Sequence, residues 1–423
     1  MSSSIGNRDG FVAKYDAAGN VIWGFKIGGT GATVEVEAIT IAPNGNIYIT
    51  GEFFSGSVDF QGVTSSVSVT RSPTGATKNM FLAAYNSNGE LLWATSSTDT
   101  GNSIGFGITA DVNGIYVAGR FAGDITFPPL TPIIWSGAAS FFDGYLTKFD
   151  YSGNAIRTKT IFNTSSDGHL KAFNVATDGS DVYIVGTSGS SNWTFGPTGL
   201  NPTVNNNGAA GTDDIWVISI RENNFNLNWA QVIGSVENDI AKGIAVDPAG
   251  LYLTGGLGGA SISFPGIAPL ASIGIAKDIF TSKLFSGTGN TDWVFLEQNN
   301  SATDAYGSDI VVDAIGNLYI TGAFFGTTTF NAGGDTKSSL GGTDIFVMSR
   351  KVAGTYLWTE TAGSTGNDEG FGLGYTTAGD VYNGGSYDLT GVFGTKGTVS
   401  DIQNNGYVGK LSSCSMSITC PIN

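Results

Sequence analysis

Seven carboxylates and two lysines carry most of the chemistry in this sequence. Glu35, Glu37, Asp167, Asp239, Asp304, Asp368 and Glu369 all stand just ahead of short runs of small, apolar residues, with Lys171 and Lys242 at matching places. Carboxylates gathered this way could hold a cation, accept hydrogen bonds from sugar hydroxyls, or act as an acid and base pair in glycoside cleavage. They could equally form a solvated acidic rim. The rest of the catalytic inventory is thin: one histidine, His169, has no nucleophile and orienting acid to complete a triad, so no catalytic residue is assigned and a non-enzymatic protein is favoured. No metal site is assigned either. Nothing matches an EF-hand loop, and calcium is the cation that such oxygen ligands would take; no cofactor is expected.

The elements that must position these residues come from repetition. Asn46-Ile-Tyr-Ile-Thr-Gly-Glu-Phe-Phe recurs as Gly114-Ile-Tyr-Val-Ala-Gly-Arg-Phe and Asn317-Leu-Tyr-Ile-Thr-Gly-Ala-Phe-Phe. The glycine after this strand falls at 51, 119, 186, 255, 322 and 384, a spacing of 62 to 69 residues. Each unit has room for four strands. In the first they are Phe11–Tyr15, Val21–Lys26, Ala38–Ala42 and Ile47–Thr50, read from alternation and from the Asp16-Ala-Ala-Gly-Asn and Pro43-Asn-Gly-Asn turns. Such units predict an all-β propeller of four-stranded antiparallel blades, with Ala38-Ile-Thr-Ile-Ala innermost. Six inner strands against seven copies of the Phe11-Val-Ala-Lys strand favour six blades closed by a mixed blade. Seven blades, the last completed from outside this sequence, are the alternative.

Asp9-Gly-Phe-Val-Ala-Lys-Tyr-Asp16, Gly19-Asn-Val-Ile-Trp23 and Gly45-Asn-Ile-Tyr-Ile-Thr-Gly-Glu-Phe53 resemble the bacterial SBBP-type β-propeller repeat over nearly the whole chain. The resemblance implies a propeller and a secreted or surface protein, and no reaction. Arg157 departs from its pattern where a tryptophan is expected, and Asn383 where a threonine is.

Recurrence itself argues for packing. Asp9, Asp143, Asp214, Asp278 and Asp344 precede the Phe-type strands, with Asn79 and Asn405 at the matching places, and are read as turn caps before calcium ligands. Trp23, Trp93, Trp229, Trp293 and Trp358 share one strand position and are read as inter-blade packing rather than a sugar-stacking array. Recognition is expected where the units differ, on the face of long connections. The candidate ligand-binding residues there are Glu35, Glu37, Asp239, Asp304, Asp368, Glu369, Lys171 and Lys242, with Trp135 from the apolar loop Phe127–Phe142.

The whole composition narrows the partners. Lys+Arg 19 against Asp+Glu 35 gives a net charge of −16, which repels nucleic acid and anionic lipid. No run is long and apolar enough for a membrane helix, and no leader is read at the start. Residues 1–411 are expected to form one propeller domain and 412–423 a strand or tail, where Cys414 and Cys420 fit a disulfide. The expected protein is an extracellular or cell-surface monomer that binds a glycan or protein in adhesion. A polysaccharide hydrolase or lyase, and a scaffold module of a larger secreted protein, are the alternatives.

Overall fold

The computed structural model describes residues 8–411 apart from 18–19, 30, 55–56, 71–77, 100, 136–141, 164–168, 190–191, 196–202, 206–211, 273–275, 332–333, 378, 389, 394–396 and 401–404. Asp167, Cys414 and Cys420 therefore lie outside the described residues, as does the tail at 412–423. The backbone gathers into two compact units, Met1–Asn205 with Ile220–Leu227 and Asn206–Ser219 with Asn228–Asn423. No helix is long and apolar enough to cross a membrane among the described residues.

Five four-stranded antiparallel sheets share one order, inner strand, second, third, outer. They are Thr33–Ile41, Ile47–Phe54, Lys78–Tyr85 and Leu91–Ser96; Asn102–Asp111, Gly114–Ala122, Asp143–Phe149 and Ala155–Asn163; Leu170–Thr177, Asp181–Ser188, Asp214–Arg221 and Leu227–Ile233; Ile240–Asp247, Gly250–Leu257, Asp278–Leu284 and Thr291–Asn299; and Tyr306–Val312, Asn317–Thr329, Thr336–Lys351 and Tyr356–Gly363. These are propeller blades, five complete ones among the described residues where six were expected. The sixth inner strand, Glu369–Tyr375, carries Val381–Tyr387 and Asn405–Leu411 and stops at three strands. The expected mixed blade is not seen, because Asn405–Leu411 takes the third place itself, while Gly10–Tyr15 and Val21–Gly28 join Ser57–Gln61 and Ser66–Thr70 in a separate sheet.

The repeated residues show why the blades form. Second strands such as Ile47–Phe54 and Gly250–Leu257 are buried on both faces, so they read as nearly continuous apolar runs. Turn aspartates close the tight hairpins by accepting backbone N–H groups: Asp313 Oδ1 takes Ile315 at 3.0 Å and Asn317 at 2.8 Å. Asp278, ahead of a third strand, accepts the Asn299 amide at 2.8 Å and the Ser272 hydroxyl at 2.8 Å, the bracing expected of a cap.

The outer-strand tryptophans reach the next blade in three of these sheets. Trp93 donates to the Tyr151 carbonyl at 3.0 Å, Trp229 to Ser286 at 2.7 Å and Trp293 to Val352 at 3.2 Å. Arg157, the departure from the pattern, does the same work: its Nη1 donates to the Asn223 carbonyl at 3.0 Å and its guanidinium lies 5.7 Å from the Phe225 ring centre. A planar cation on an apolar stem can replace an indole here because the position needs a flat surface and one donor.

Candidate functional site

The six inner strands carry one extra residue each. Register against the second strand shifts between Val36 and Ala38, Gly105 and Gly107, Ala172 and Asn174, Ala241 and Gly243, Gly307 and Asp309, and Gly370 and Gly372. The residues left over are Glu37, Phe106, Phe173, Lys242, Ser308 and Phe371. A bulge takes a residue out of the ladder and re-aims its side chain, so one position in every unit is free to vary while its neighbours keep the fold.

The bulge also explains the repeating glycine. A Cβ on Gly51, Gly119, Gly255 or Gly322 would lie 2.0, 1.9, 1.9 or 2.0 Å from the carbonyl oxygen of Glu35, Ile104, Ile240 or Tyr306. In the sixth sheet the equivalent is Gly385, 2.0 Å from the Glu369 carbonyl, rather than Gly384. Asn383 therefore stands in the place of an apolar residue such as Ile49, not of the threonine, and donates to Thr321 Oγ1 at 2.9 Å and the Gly372 carbonyl at 3.1 Å.

Glu35, Glu37, Lys171, Lys242 and Glu369 are strand residues, because the inner strands run on through the bulge where the sequence suggested connecting loops. In the N-terminal unit Glu35 and Glu52 are directly opposed. Glu35, Glu37 and Glu52 each place one carboxylate oxygen within 4.8 Å of the others. Two cations offset that charge, Lys78 on Glu52 and Arg8 on Glu35 at 2.6 Å. Glu52 is buried and escaped the sequence reading because it sits inside the most repetitive strand. Arg120 lies beside this group with its guanidinium 4.3 Å from the Phe142 ring centre and 5.3 Å from that of Phe106, which is itself 5.8 Å from Phe173. The result is an acidic corner next to a cation held on aromatic faces.

Burial is the main cause of the titration behaviour there. It pushes Glu52 up to about 7 against the opposing Lys78, helped by the hydrogen bond with Glu35. Burial would raise Glu35 too, but hydrogen bonds from Arg8 and Glu52 outweigh it and hold that carboxyl below its usual value. Glu37 is raised by loss of hydration first and by repulsion from Glu35 second. Glu52 thus binds its proton more tightly folded than unfolded. The stability this contributes is fully present below its ordinary value near 4.5 and is lost as pH rises toward 7. Thermal melts should therefore show lower stability at pH 8 than at pH 5, and Glu52→Gln, which mimics the protonated form, should flatten that difference by about 1–3 kcal/mol. An unchanged slope in the variant would contradict the assignment.

In the C-terminal unit Glu369 is the hub. It accepts from the Tyr306 hydroxyl at 3.0 Å and the Ser308 hydroxyl at 3.0 Å, and Lys242 stands 3.4 Å away with its ammonium 4.3 Å from the Tyr306 ring centre. The bulge residue Phe371 is 54% exposed. Asp304 pairs with Lys277. Asp239 and Asp368 are buried: Asp239 accepts the amides of Ser235 at 2.6 Å and Gly258 at 2.9 Å, Asp368 those of Ser364 at 2.6 Å and Asp388 at 2.7 Å. Both aspartates hold loop backbone. Lys171 lies half-buried opposite Thr187, and Trp135 is half-buried against the second blade's core, its amide donating to Asp124 at 2.9 Å.

Sequence reasoning missed Phe106, Phe173, Ser308 and Phe371. Their signal is present in hindsight: the residue just before the small one that opens each inner segment changes type from unit to unit, while its surroundings repeat.

No family model matches the chain. The uncharacterized WD repeat-containing protein L264 of Acanthamoeba polyphaga mimivirus is 26% identical to it over 362 residues, which cover 74% of this chain and 26% of that protein. The chain thus spans well under half of the relative's length. Similarity to a WD repeat-containing protein agrees with the β-propeller that the sheets form, whereas nothing in these comparisons singles out the bacterial SBBP repeat. The likeness does not extend to the WD signature, since no tryptophan here is followed by aspartate and the units exceed the ~40–45 residues of a WD repeat.

Proposed function

We propose that this chain is a non-enzymatic binding propeller that engages a protein partner through its bulge side chains. The observation that supports this is the single register position, repeated six times, at which Glu37, Phe106, Phe173, Lys242, Ser308 and Phe371 replace one another. A scaffold alone gives no reason for that position to vary between charged, polar and aromatic types. The similarity to a WD repeat-containing protein supports a binding or scaffold role in general terms. In the N-terminal unit the exposed Glu37 and the neighbouring Phe106 and Phe173 rings occupy the bulge position of three successive blades, which suits a partner segment that carries a Lys or Arg next to an aromatic residue. Net charge of −16 favours the same kind of partner. A glycan ligand, suggested by the carboxylates, and an extracellular or cell-surface setting, suggested by the repeat resemblance and by Cys414 and Cys420, are finer readings of this proposal.

A displayed peptide library selected on the purified chain tests it. Enrichment of peptides with a basic residue next to an aromatic one, and loss of their binding by at least about tenfold in Glu37→Gln/Phe106→Ala, is the expected result. Equal binding to the variant would remove the bulge site from the proposal. A glycan array run beside it, with and without calcium, separates carbohydrate from peptide recognition.

A further inference from the structure

Where a long connection runs into an inner strand, one amide bonds to the carbonyl of the residue that precedes a cap aspartate: Val34 to Arg8 at 3.0 Å, Leu170 to Phe142 at 3.0 Å, Asp239 to Asp213 at 2.6 Å, Ala305 to Lys277 at 3.2 Å and Asp368 to Thr343 at 2.7 Å. The caps that follow are Asp9, Asp143, Asp214, Asp278 and Asp344. Three of these five are thus matched with an apolar residue, Val34, Leu170 or Ala305, and two with a second carboxyl.

Gly234 shows how such a carboxyl pair meets: its Cβ would lie 1.9 Å from Asp214 Oδ1 and 3.1 Å from Asp239 Oδ2, so both groups face one point. At the other pair Gly363 takes the same place, its Cβ 2.3 Å from Asp344 Oδ1. Asp344 is 3% exposed and Asp368 0%. Asp368 is the better anion, because it accepts the amides of Ser364 at 2.6 Å and Asp388 at 2.7 Å. Asp344 accepts the Leu340 amide at 3.0 Å, and its Oδ1 has no hydrogen-bond partner among the described residues. The ionisable groups around the pair are acidic as well: Asp388 repels Asp368, and Glu369 and the Tyr407 hydroxyl lie close by. No lysine or arginine offsets either aspartate among the described residues.

Two ionised carboxyls in this place repel each other and leave one oxygen bare, whereas a single proton turns the repulsion into a hydrogen bond. We propose that Asp344 and Asp368 share one proton and act as a pH-sensitive latch on the connection 364–368. With the proton on Asp344, its Oδ1 donates to Asp368 and the connection stays clamped to Thr343. Loss of that proton to water leaves two facing anions and lets the connection open. Glu369 follows directly, so opening also withdraws it from Tyr306, Ser308 and Lys242. Burial, opposed by the Leu340 amide and aided by repulsion from Asp368, pushes Asp344 up to about 7. Burial raises Asp368 too, against its two amide donors and the Ser364 hydroxyl. Asp344 binds its proton more tightly folded than unfolded. The clamp is therefore complete below its ordinary value near 3.8 and is lost as pH rises through about 7.

The test follows the full chain by NMR, with carbon-13 on the aspartate carboxyls, and by hydrogen exchange at the Ser364 and Asp388 amides, corrected for the intrinsic effect of pH. Asp344 is expected to titrate above about pH 6, and the two amides to exchange at least about tenfold faster at pH 8 than at pH 6. Asp344→Asn keeps a donor toward Asp368 and carries no charge, so it should hold both amides equally slow at the two pH values. The titration of the unaltered chain decides the matter if this variant fails to fold. Reading single amides also separates the latch from the effect of Glu52 on overall stability. The proposal is overturned if Asp344 titrates below about pH 5, if exchange does not change with pH, or if Asp344→Asn responds as wild type does. Protection that EDTA abolishes would overturn it in favour of a bound cation.

Discussion

Arg350→Leu is expected to destabilise the fold by about 3–5 kcal/mol, and Arg350→Leu/Glu297→Ile to restore it to within about 1 kcal/mol of wild type. Arg350 is 2% exposed and Glu297 1%, and the two form an ion pair inside the C-terminal unit. Arg350 also donates to the Gly354 carbonyl at 3.2 Å and lies 4.3 Å from the Phe295 ring centre. Removing the guanidinium alone strands a carboxylate where water cannot reach it. Removing both partners returns the site to what the other units already have: Tyr85, Phe149, Ile220 and Leu284 at the arginine position, and Ile161 or Ala362 at that of the glutamate. Urea unfolding followed by far-ultraviolet circular dichroism measures both steps. If the double variant is no more stable than the single one, the pair stabilises through packing of the arginine stem rather than through charge.

Gly255→Ala should cost about 3 kcal/mol or more, although it adds a single methyl group. The new Cβ would stand 1.9 Å from the Ile240 carbonyl oxygen and 2.7 Å from the Ala241 Cα, both backbone atoms that can retreat only by undoing the bulge. Gly287→Ala is the control, since nothing lies within 4 Å of its Cβ, and it should leave the melting temperature unchanged or slightly higher. The same Gly255 variant should disturb Lys242, the bulge residue of that strand, and hence its contact with Glu369. A melt indistinguishable from wild type would mean that the bulge yields easily and does not position the site.

Much of the fold was legible because its determinants are local. Alternation or a short apolar run marks the strands, and glycine or asparagine, often after an aspartate, marks the tight hairpins, so the strand order within a blade follows from residues a few positions apart. The tryptophan repeat was read as packing for the same reason. The acidic site was legible only in part: Glu35, Glu37, Lys242 and Glu369 were singled out, but as residues of loops. Glu52 and Arg120 stayed hidden because each lies directly after the repeat's own glycine, in a position that looks like framework.

The amino-acid sequence by itself determined that this protein is an all-β repeat of four-stranded units with a fixed turn chemistry and an acidic surface. Tertiary structure decided the rest. A bulge leaves no periodic mark along the chain, since its extra residue is defined only by the partner strand that skips it, and so the six variable side chains emerge only once the strands are paired. The choice between equivalent strands is settled in space as well: several segments carry the third-strand pattern, and only pairing shows that Asn405–Leu411 is the one that holds Val381–Tyr387.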